Sequence, residues 1–176
     1  MADHFEEIEK LGGVDLQFIT HGHDLNPAFH AEAYDRFRCK LCYHKAAAAV
    51  VRKKTQCPAQ EFGHDGLQLG ADFEAIYFPG HTPGHSVYRW RRSGTRFLFT
   101  GHVMIFDGGR WKLNYNPTKA PKGTQFDHLA EAEHFLPTHA YGTEEFHTLN
   151  KRTRALFLEA VKQAWDAPKP SDRDVF

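Results

Sequence analysis

Short apolar runs alternate with helical patterns along most of the chain. Apolar residues at helical spacing predict a helix over residues 3–11, which stops at two glycines, and a second helix over residues 27–37 with a proline in its first turn. Between these helices, residues 14–20 (VDLQFIT) predict a short strand. A strand over residues 39–43 and an alanine-rich helix over residues 45–52 follow.

The central part of the chain has the strongest strand pattern. Residues 73–78 (FEAIYF), 86–90 (SVYRW) and 96–100 (RFLFT) predict three consecutive strands separated by turn-forming residues. Beyond them we expect a long loop, a short helix, a strand end and a long amphipathic helix, over residues 107–123, 126–133, 135–137 and 143–165. Strands that alternate with helices around a three-stranded meander indicate α/β layers with a mixed sheet.

The length and composition of the chain are typical of one globular domain. The 176 residues suffice for one buried core, so we assign residues 1–166 to a single domain and residues 167–176 to a disordered tail. Lys+Arg and Asp+Glu each number 22, and this balance gives no reason to expect a nucleic-acid partner. No segment has the ~20 apolar residues of a membrane span, and the acidic start lacks the apolar core of a signal peptide. Three cysteines, an odd number, favour a reducing cytoplasm.

Histidine is the one unusual feature of the composition, with 13 residues. Five of them follow predicted strands at the carboxyl ends: His21, His23, His81, His102 and His139. Loops at strand ends are held by a rigid sheet, which suits them to carry ligands. Any one of these histidines is more simply a hydrogen-bonded, half-buried residue. Their recurrence at one end of successive strands favours a metal site with the nitrogen ligands that zinc and similar metals prefer.

Four motifs around these histidines resemble those of the metallo-β-lactamase superfamily. Residues 20–23 (THGH) resemble the start of T-H-x-H-x-D-H, and residues 78–86 (FPGHTPGHS) resemble P-G-H-T-x-G-H. Residues 99–102 (FTGH) and 136–139 (LPTH) are similar to F-T-G-D and to the final L-P-x-H. The order and the intervals of the four motifs agree with the superfamily. The resemblance implies an α/β fold, the αββα sandwich of the metallo-β-lactamase type.

The resemblance also implies that one metal position is intact. In the superfamily, the H-x-H pair and the first histidine of P-G-H-T bind one ion, and this chain has His21, His23 and His81 there. Three imidazoles leave a zinc ion with an open position, where the pKa of bound water falls to about 7. The leading prediction is a metal-dependent hydrolase similar to the glyoxalase II branch. Metal-bound hydroxide would attack a small thioester or ester.

The second metal position departs from the superfamily's pattern. Its Asp-His pair falls on Leu25 and Asn26, its bridging carboxylate falls on His102, and only His139 matches. Asp24, one residue early, is the candidate catalytic carboxylate if a shorter turn lets it serve. We therefore expect one zinc ion rather than two, and iron is less favoured because it needs a carboxylate beside two histidines. If His102 closes the coordination of that ion, the alternative function is a non-catalytic metal-binding or scaffold protein.

The start of the chain is a further departure. In the superfamily, about four strands precede the helix and strand that begin this sequence, so the first sheet is expected to be incomplete at its N-terminal side. An uncovered sheet edge favours association of two copies. A homo-oligomer and a small-molecule substrate are the expected partners.

Four further residues are assigned packing or supporting roles. Cys39 and Cys42 have the spacing of a C-x-x-C motif, but residues i and i+3 of a strand point to opposite faces, which favours core cysteines. His44 is expected to cap or pack at the start of the following helix. His85 lies beyond the ligand histidine of its motif and is expected to pack behind it or support it.

Overall fold

Two main β-sheets, a separate two-stranded hairpin and the helices beside them make up the part of the chain that the computed structural model describes. The described residues are 4–23, 25–107, 110–114, 125–138, 147–148, 154–155 and 157–159. The helices are α1 (Phe5–Lys10), α2 (Pro27–Phe37), α3 (Ala48–Lys54, after a 3₁₀ turn at Lys45–Ala47) and α4 (Gln125–Glu131). The strands are β1 (Leu16–Phe18), β2 (Lys40–His44), β3 (Ala59–Phe62), β4 (Leu67–Leu69), β5 (Phe73–Tyr77), β6 (Ser86–Arg92), β7 (Thr95–Gly101), β8 (Met104–Asp107), β9 (Arg110–Leu113), β10 (His134–Pro137) and β11 (His147–Thr148).

The two sheets differ in size and in strand direction. The first sheet is parallel and has the order β1-β2-β3. The second has the order β11-β10-β7-β6-β5-β4, in which only the β10–β7 pair is parallel, so the predicted mixed sheet is confirmed. Association of two copies through an edge of the first sheet, at β1 or β3, stays a prediction.

Alternating side chains on β2 define the layers around the first sheet. Leu41 faces outward and packs with Val51 of α3. Cys42, the next residue, faces the second sheet and packs with Ala75 and Tyr88. Because successive strand residues point to opposite faces, one apolar run fills both the helix–sheet layer and the layer between the sheets.

The outer faces of both sheets are covered by helices. Behind the first sheet, Cys39 packs with Phe5 of α1, on the opposite side from Cys42, so the prediction of two diverging core cysteines is confirmed. Behind the second sheet, Leu98 of β7 packs with Leu129 of α4 in a cluster of buried residues. Helix, sheet, sheet and helix succeed one another, which confirms the predicted αββα sandwich.

The structure corrects three sequence predictions in the fold. The β3 strand was not predicted, because among its residues only Phe62 is buried and its pattern is therefore weak. The β8–β9 hairpin occupies the beginning of the loop predicted over residues 107–123. The prediction of a helix over residues 143–165 is wrong at His147–Thr148, which form β11 and pair with β10. A two-residue strand is determined by its partner rather than by its own periodicity.

Other predictions concern the chain as a whole. Of the long C-terminal helix, residues 154–155 and 157–159 are helical. The predicted tail, residues 167–176, lies outside the described residues, and the division into domains stays a prediction. Within the described part of the chain, no helix combines the length and apolar character needed to cross a membrane.

Candidate metal centre

Loops from both sheets meet at one edge of the sandwich. The Ser86 amide donates to the Thr20 carbonyl over 2.8 Å and joins the start of β6 to the loop after β1. At the end of β10, the Thr138 amide donates to the Gly101 carbonyl over 3.1 Å. These backbone bonds bring together the loops in which the sequence predicts metal ligands.

His21, His23 and His81 form a group suited to hold a metal ion. One ligand nitrogen from each lies within 4.8 Å of the other two. The ring centroids of His21 and His81 are 4.7 Å apart, and those of His21 and His23 are 5.3 Å apart. Zinc–nitrogen bonds of about 2.0–2.1 Å need nitrogens roughly 3–4 Å apart. Binding of one ion would therefore draw the three imidazoles closer together.

The burial of the three histidines differs in a way that suits an open site. His21 is fully buried, His81 is half-buried and His23 is exposed. An ion held by them would face protein on one side and solvent on the other. A catalytic zinc site keeps one coordination position for water or substrate, and this arrangement allows it.

Hydrogen bonds on the far side of the rings orient two of the ligands. His21 Nδ1 is hydrogen-bonded with Thr20 Oγ1 at 3.0 Å, and His81 Nδ1 is hydrogen-bonded with the Asn114 side-chain amide at 3.1 Å. The Thr20 hydroxyl oxygen can accept from His21 Nδ1–H, as the partners of metal-ligating histidines do, whereas the Asn114 amide nitrogen donates to His81 Nδ1.

Two further histidines surround the group. The His102 ring lies beside the group, 4.7 Å from the His21 ring and 5.2 Å from the His81 ring, and its role as a ligand stays a prediction. His85 is fully buried 5.4 Å from His21, and its Nδ1 is hydrogen-bonded with the Phe78 carbonyl at 3.2 Å. The packing and supporting role predicted for His85 agrees with this position.

The cluster disfavours protonation of its buried members. Burial, and then the charges that neighbouring histidines would carry, lower the pKa of His21 to about 2. Burial, followed by His81, lowers the pKa of His85 to about 3. Neutral imidazole is the form that binds metal, so His21 need not release a proton to become a ligand near neutral pH.

The residues at the second metal position of the superfamily have other functions here. Leu25 is buried beside Ile19 and Leu41 in the apolar layer between the first sheet and α3. The Asn26 side chain caps α2 by accepting a hydrogen bond from the Phe29 amide over 3.2 Å. Both side chains therefore have structural roles, in the core and at the helix cap.

Two predicted site residues lie outside the described residues. These are Asp24, the candidate catalytic carboxylate, and His139, the last histidine of the L-P-x-H motif. Their participation in the site stays a prediction.

Two supporting residues were missed by the sequence analysis. Asn114, next to His81, lies in the segment predicted as a loop, and nothing in its local sequence indicates a ligand partner. Lys54 is the last residue of α3, and its Nζ donates to the Gly22 carbonyl in the H-x-H loop over 2.8 Å. A lysine at a helix end is common, so its position in the sequence did not predict this contact.

Comparison with known proteins finds similarity in structure alone. No protein-family model and no curated protein sequence matches the chain. The MIM-1 metallo-β-lactamase of Novosphingobium pentaromativorans aligns over 92% of this chain and 72% of its own, with a TM-score of 0.57 and 14% identity. A protein solved in a di-iron-bound form aligns over 92% and 82%, with a TM-score of 0.57 and 17% identity. The MIM-2 metallo-β-lactamase aligns over 90% and 72%, with a TM-score of 0.54 and 19% identity. This chain therefore has the metallo-β-lactamase fold.

Proposed function

We propose that this protein is a metal-dependent hydrolase that acts on a small thioester or ester. The observation that supports the proposal is the convergence of His21, His23 and His81, with ligand nitrogens within 4.8 Å of one another. They lie in loops at one edge of a fold shared with metallo-β-lactamases. The exposed side of this group gives a substrate carbonyl access to the ion.

The chain's own residues hold and orient the reacting groups. A divalent ion bound at this group would lower the pKa of a water molecule and polarise a carbonyl oxygen. His21 is kept neutral by burial and is oriented by Thr20, while Asn114 orients His81. Zinc is the proposed metal because imidazole ligands suit borderline divalent ions better than hard ones. The reaction proposed is similar to that of the glyoxalase II branch.

A cytoplasmic location is part of the same proposal. All three cysteines of the chain are free thiols, and Cys39 and Cys42 are buried. A protein that carries unpaired cysteines is suited to a reducing compartment.

The position of His102 supports a second candidate function, a non-catalytic metal-binding or scaffold protein. Its ring lies 4.7 Å from His21 and 5.2 Å from His81, where the superfamily places a bridging carboxylate. A fourth imidazole on the ion would close the coordination sphere and make the site structural. An imidazole whose lone pair is bound to the ion also cannot accept a proton from water.

Hydrolysis of small thioesters and esters by the zinc-loaded protein tests the proposed function. We expect slow turnover that is lost in His81→Ala and kept in His4→Ala, in which an exposed histidine outside the cluster is removed. His102→Asp is expected to raise the rate, by up to the roughly 10²–10⁴ that a positioned base contributes.

The control variants decide between the two functions. Equal rates for the parent and His81→Ala would contradict hydrolysis at this site, since a ligand of the ion would then be dispensable. A His102→Asp variant that binds zinc yet hydrolyses none of these compounds would favour the scaffold.

A further inference from the structure

The metal centre combines loops from two different sheets. His21 and His23 follow β1 of the first sheet, whereas His81 lies in the β5–β6 loop, residues 78–85, of the second. Backbone bonds shape the β5–β6 loop: the Phe78 amide donates to the His85 carbonyl over 3.0 Å, and the His85 amide donates to the Thr82 carbonyl over 3.1 Å. The separation between the two ligand loops must be maintained by other contacts as well.

One segment of the first sheet layer, residues 45–54, touches both ligand loops. A Cβ atom at Gly22 would lie 2.8 Å from Val50 Cγ1, and one at Gly84 would lie 2.5 Å from the Ala47 backbone nitrogen. Both glycines are therefore in direct contact with this segment, and the contact with Ala47 leaves no room for a side chain. We term residues 45–54 the brace.

His44 determines where the brace begins. It is the last residue of β2 and is fully buried. Its Nδ1 accepts a hydrogen bond from the Ala46 amide over 3.2 Å and so caps the 3₁₀ turn that starts the brace. Because Ala47 is the next residue, the cap lies one residue away from the contact with Gly84.

Tyr77 connects His44 to the β5–β6 loop. Its ring stacks on the His44 ring, with centroids 3.8 Å apart and planes inclined by 14°. Its hydroxyl donates to the Pro83 carbonyl inside the loop over 3.1 Å. The exposed His64 ring packs edge-on against Tyr77, with centroids 4.5 Å apart. The loop that carries His81 is thus attached to β2 through two stacked rings and one hydrogen bond.

We propose that Tyr77 and His44 are positioning residues that hold the His81 loop at the correct distance from His21 and His23. The inference rests on the metal centre of the proposed function, and it adds residues outside the group formed by His21, His23 and His81. A preorganised set of ligands binds an ion more tightly, because the ion does not have to order the loops. Loss of a supporting residue outside the ligand set typically lowers the metal affinity by about 10–100-fold.

Tyr77→Phe is the central test, because it keeps the stacked ring and removes only the hydrogen bond to Pro83. We expect the dissociation constant for Co²⁺ to rise about tenfold and the visible absorption of the bound Co²⁺ to change. In the metal-free protein, the backbone amides of residues 78–86 should exchange hydrogen faster. Tyr34→Phe is the matched control. It removes the hydroxyl of a tyrosine in α2, outside the β5–β6 loop, and should leave all three measurements unchanged.

Two substitutions at His44 separate the cap from the ring stack. His44→Asn keeps a side-chain acceptor for the Ala46 amide and loses the stack, whereas His44→Phe keeps the stack and loses the cap. Both are expected to weaken Co²⁺ binding by the folded protein. Unchanged Co²⁺ affinity in both variants, with a lower melting temperature, would overturn the positioning role and leave a structural one.

The two readouts distinguish failure of the inference from failure of the proposed function. A parent protein that binds no Co²⁺ would overturn the metal centre, whereas amide exchange in metal-free Tyr77→Phe reports on the loop independently. Exchange and Co²⁺ affinity equal to those of the parent in Tyr77→Phe would overturn the inference itself.

Discussion

Replacing His21 with alanine is expected to cause the largest loss of metal affinity of any single substitution in the cluster. His21 is fully buried, and its ring lies within 5.4 Å of four other histidine rings. Loss of a direct ligand should cost more than the roughly 10–100-fold that loss of an outer hydrogen-bonding partner costs. Competition for Zn²⁺ with a chromophoric chelator measures the dissociation constant.

The control for this substitution is His4→Ala. His4 precedes α1 and its side chain is 69% exposed, so its removal should leave the Zn²⁺ dissociation constant unchanged. Circular dichroism should show that both variants keep the parent's secondary structure. If His21→Ala bound Zn²⁺ as tightly as the parent, the ion would be held elsewhere on the chain.

Leu25→Asp is expected to destabilise the protein rather than to restore a second metal position. Leu25 is 6% exposed and packs in the same apolar cluster as Ile19, Leu41 and Val51. Truncating a buried leucine costs about 2–5 kcal/mol, and an unpaired carboxylate in its place adds a desolvation penalty. We therefore expect the free energy of unfolding, measured in urea, to fall by about 4 kcal/mol or more.

Leu25→Met is the matched control for this prediction. It conserves side-chain volume and apolar character, and such exchanges usually cost less than about 1.5 kcal/mol. An aspartate at position 25 that leaves the stability unchanged and adds a second equivalent of bound metal would contradict the placement of this residue in the core.

The layers of the fold could be predicted from the sequence because local patterns determine them. The limits of α2 agree with the prediction, since Pro27 suits the first turn and Asn26 provides the cap. The meander of β5, β6 and β7 was predicted from apolar runs separated by turn residues. In contrast, β11 exists through its pairing with β10, a contact between distant residues that no local periodicity encodes.

The candidate site could be predicted only in part, again from local sequence patterns. His21, His23, His81 and His102 were identified because each follows a strand, and the structure brings all four together. The partners that orient them depend on tertiary contacts: Asn114 reaches His81 across 33 positions of sequence. The sequence excluded Leu25 as a ligand but could not show that it packs in the core.

The brace illustrates the remaining limit of sequence reasoning. His44 was expected to cap or pack, and the structure shows that it does both, by accepting from the Ala46 amide and stacking on Tyr77. The stack of Tyr77 on His44 and the contact of Gly84 with Ala47 join the layers of the two sheets. Contacts between layers follow from how the layers pack, which the sequence of one element does not specify.

The number of metal ions bound per chain tests the central claim most directly. The protein should be stripped with a chelator, reconstituted with excess Zn²⁺, freed of unbound metal by gel filtration and measured by elemental analysis. The histidine cluster predicts about one Zn²⁺ per chain, bound through His21, His23 and His81. A value near zero would contradict the metal centre, and two equivalents would contradict the expectation of a single ion and show that Asp24 or His102 completes a second position.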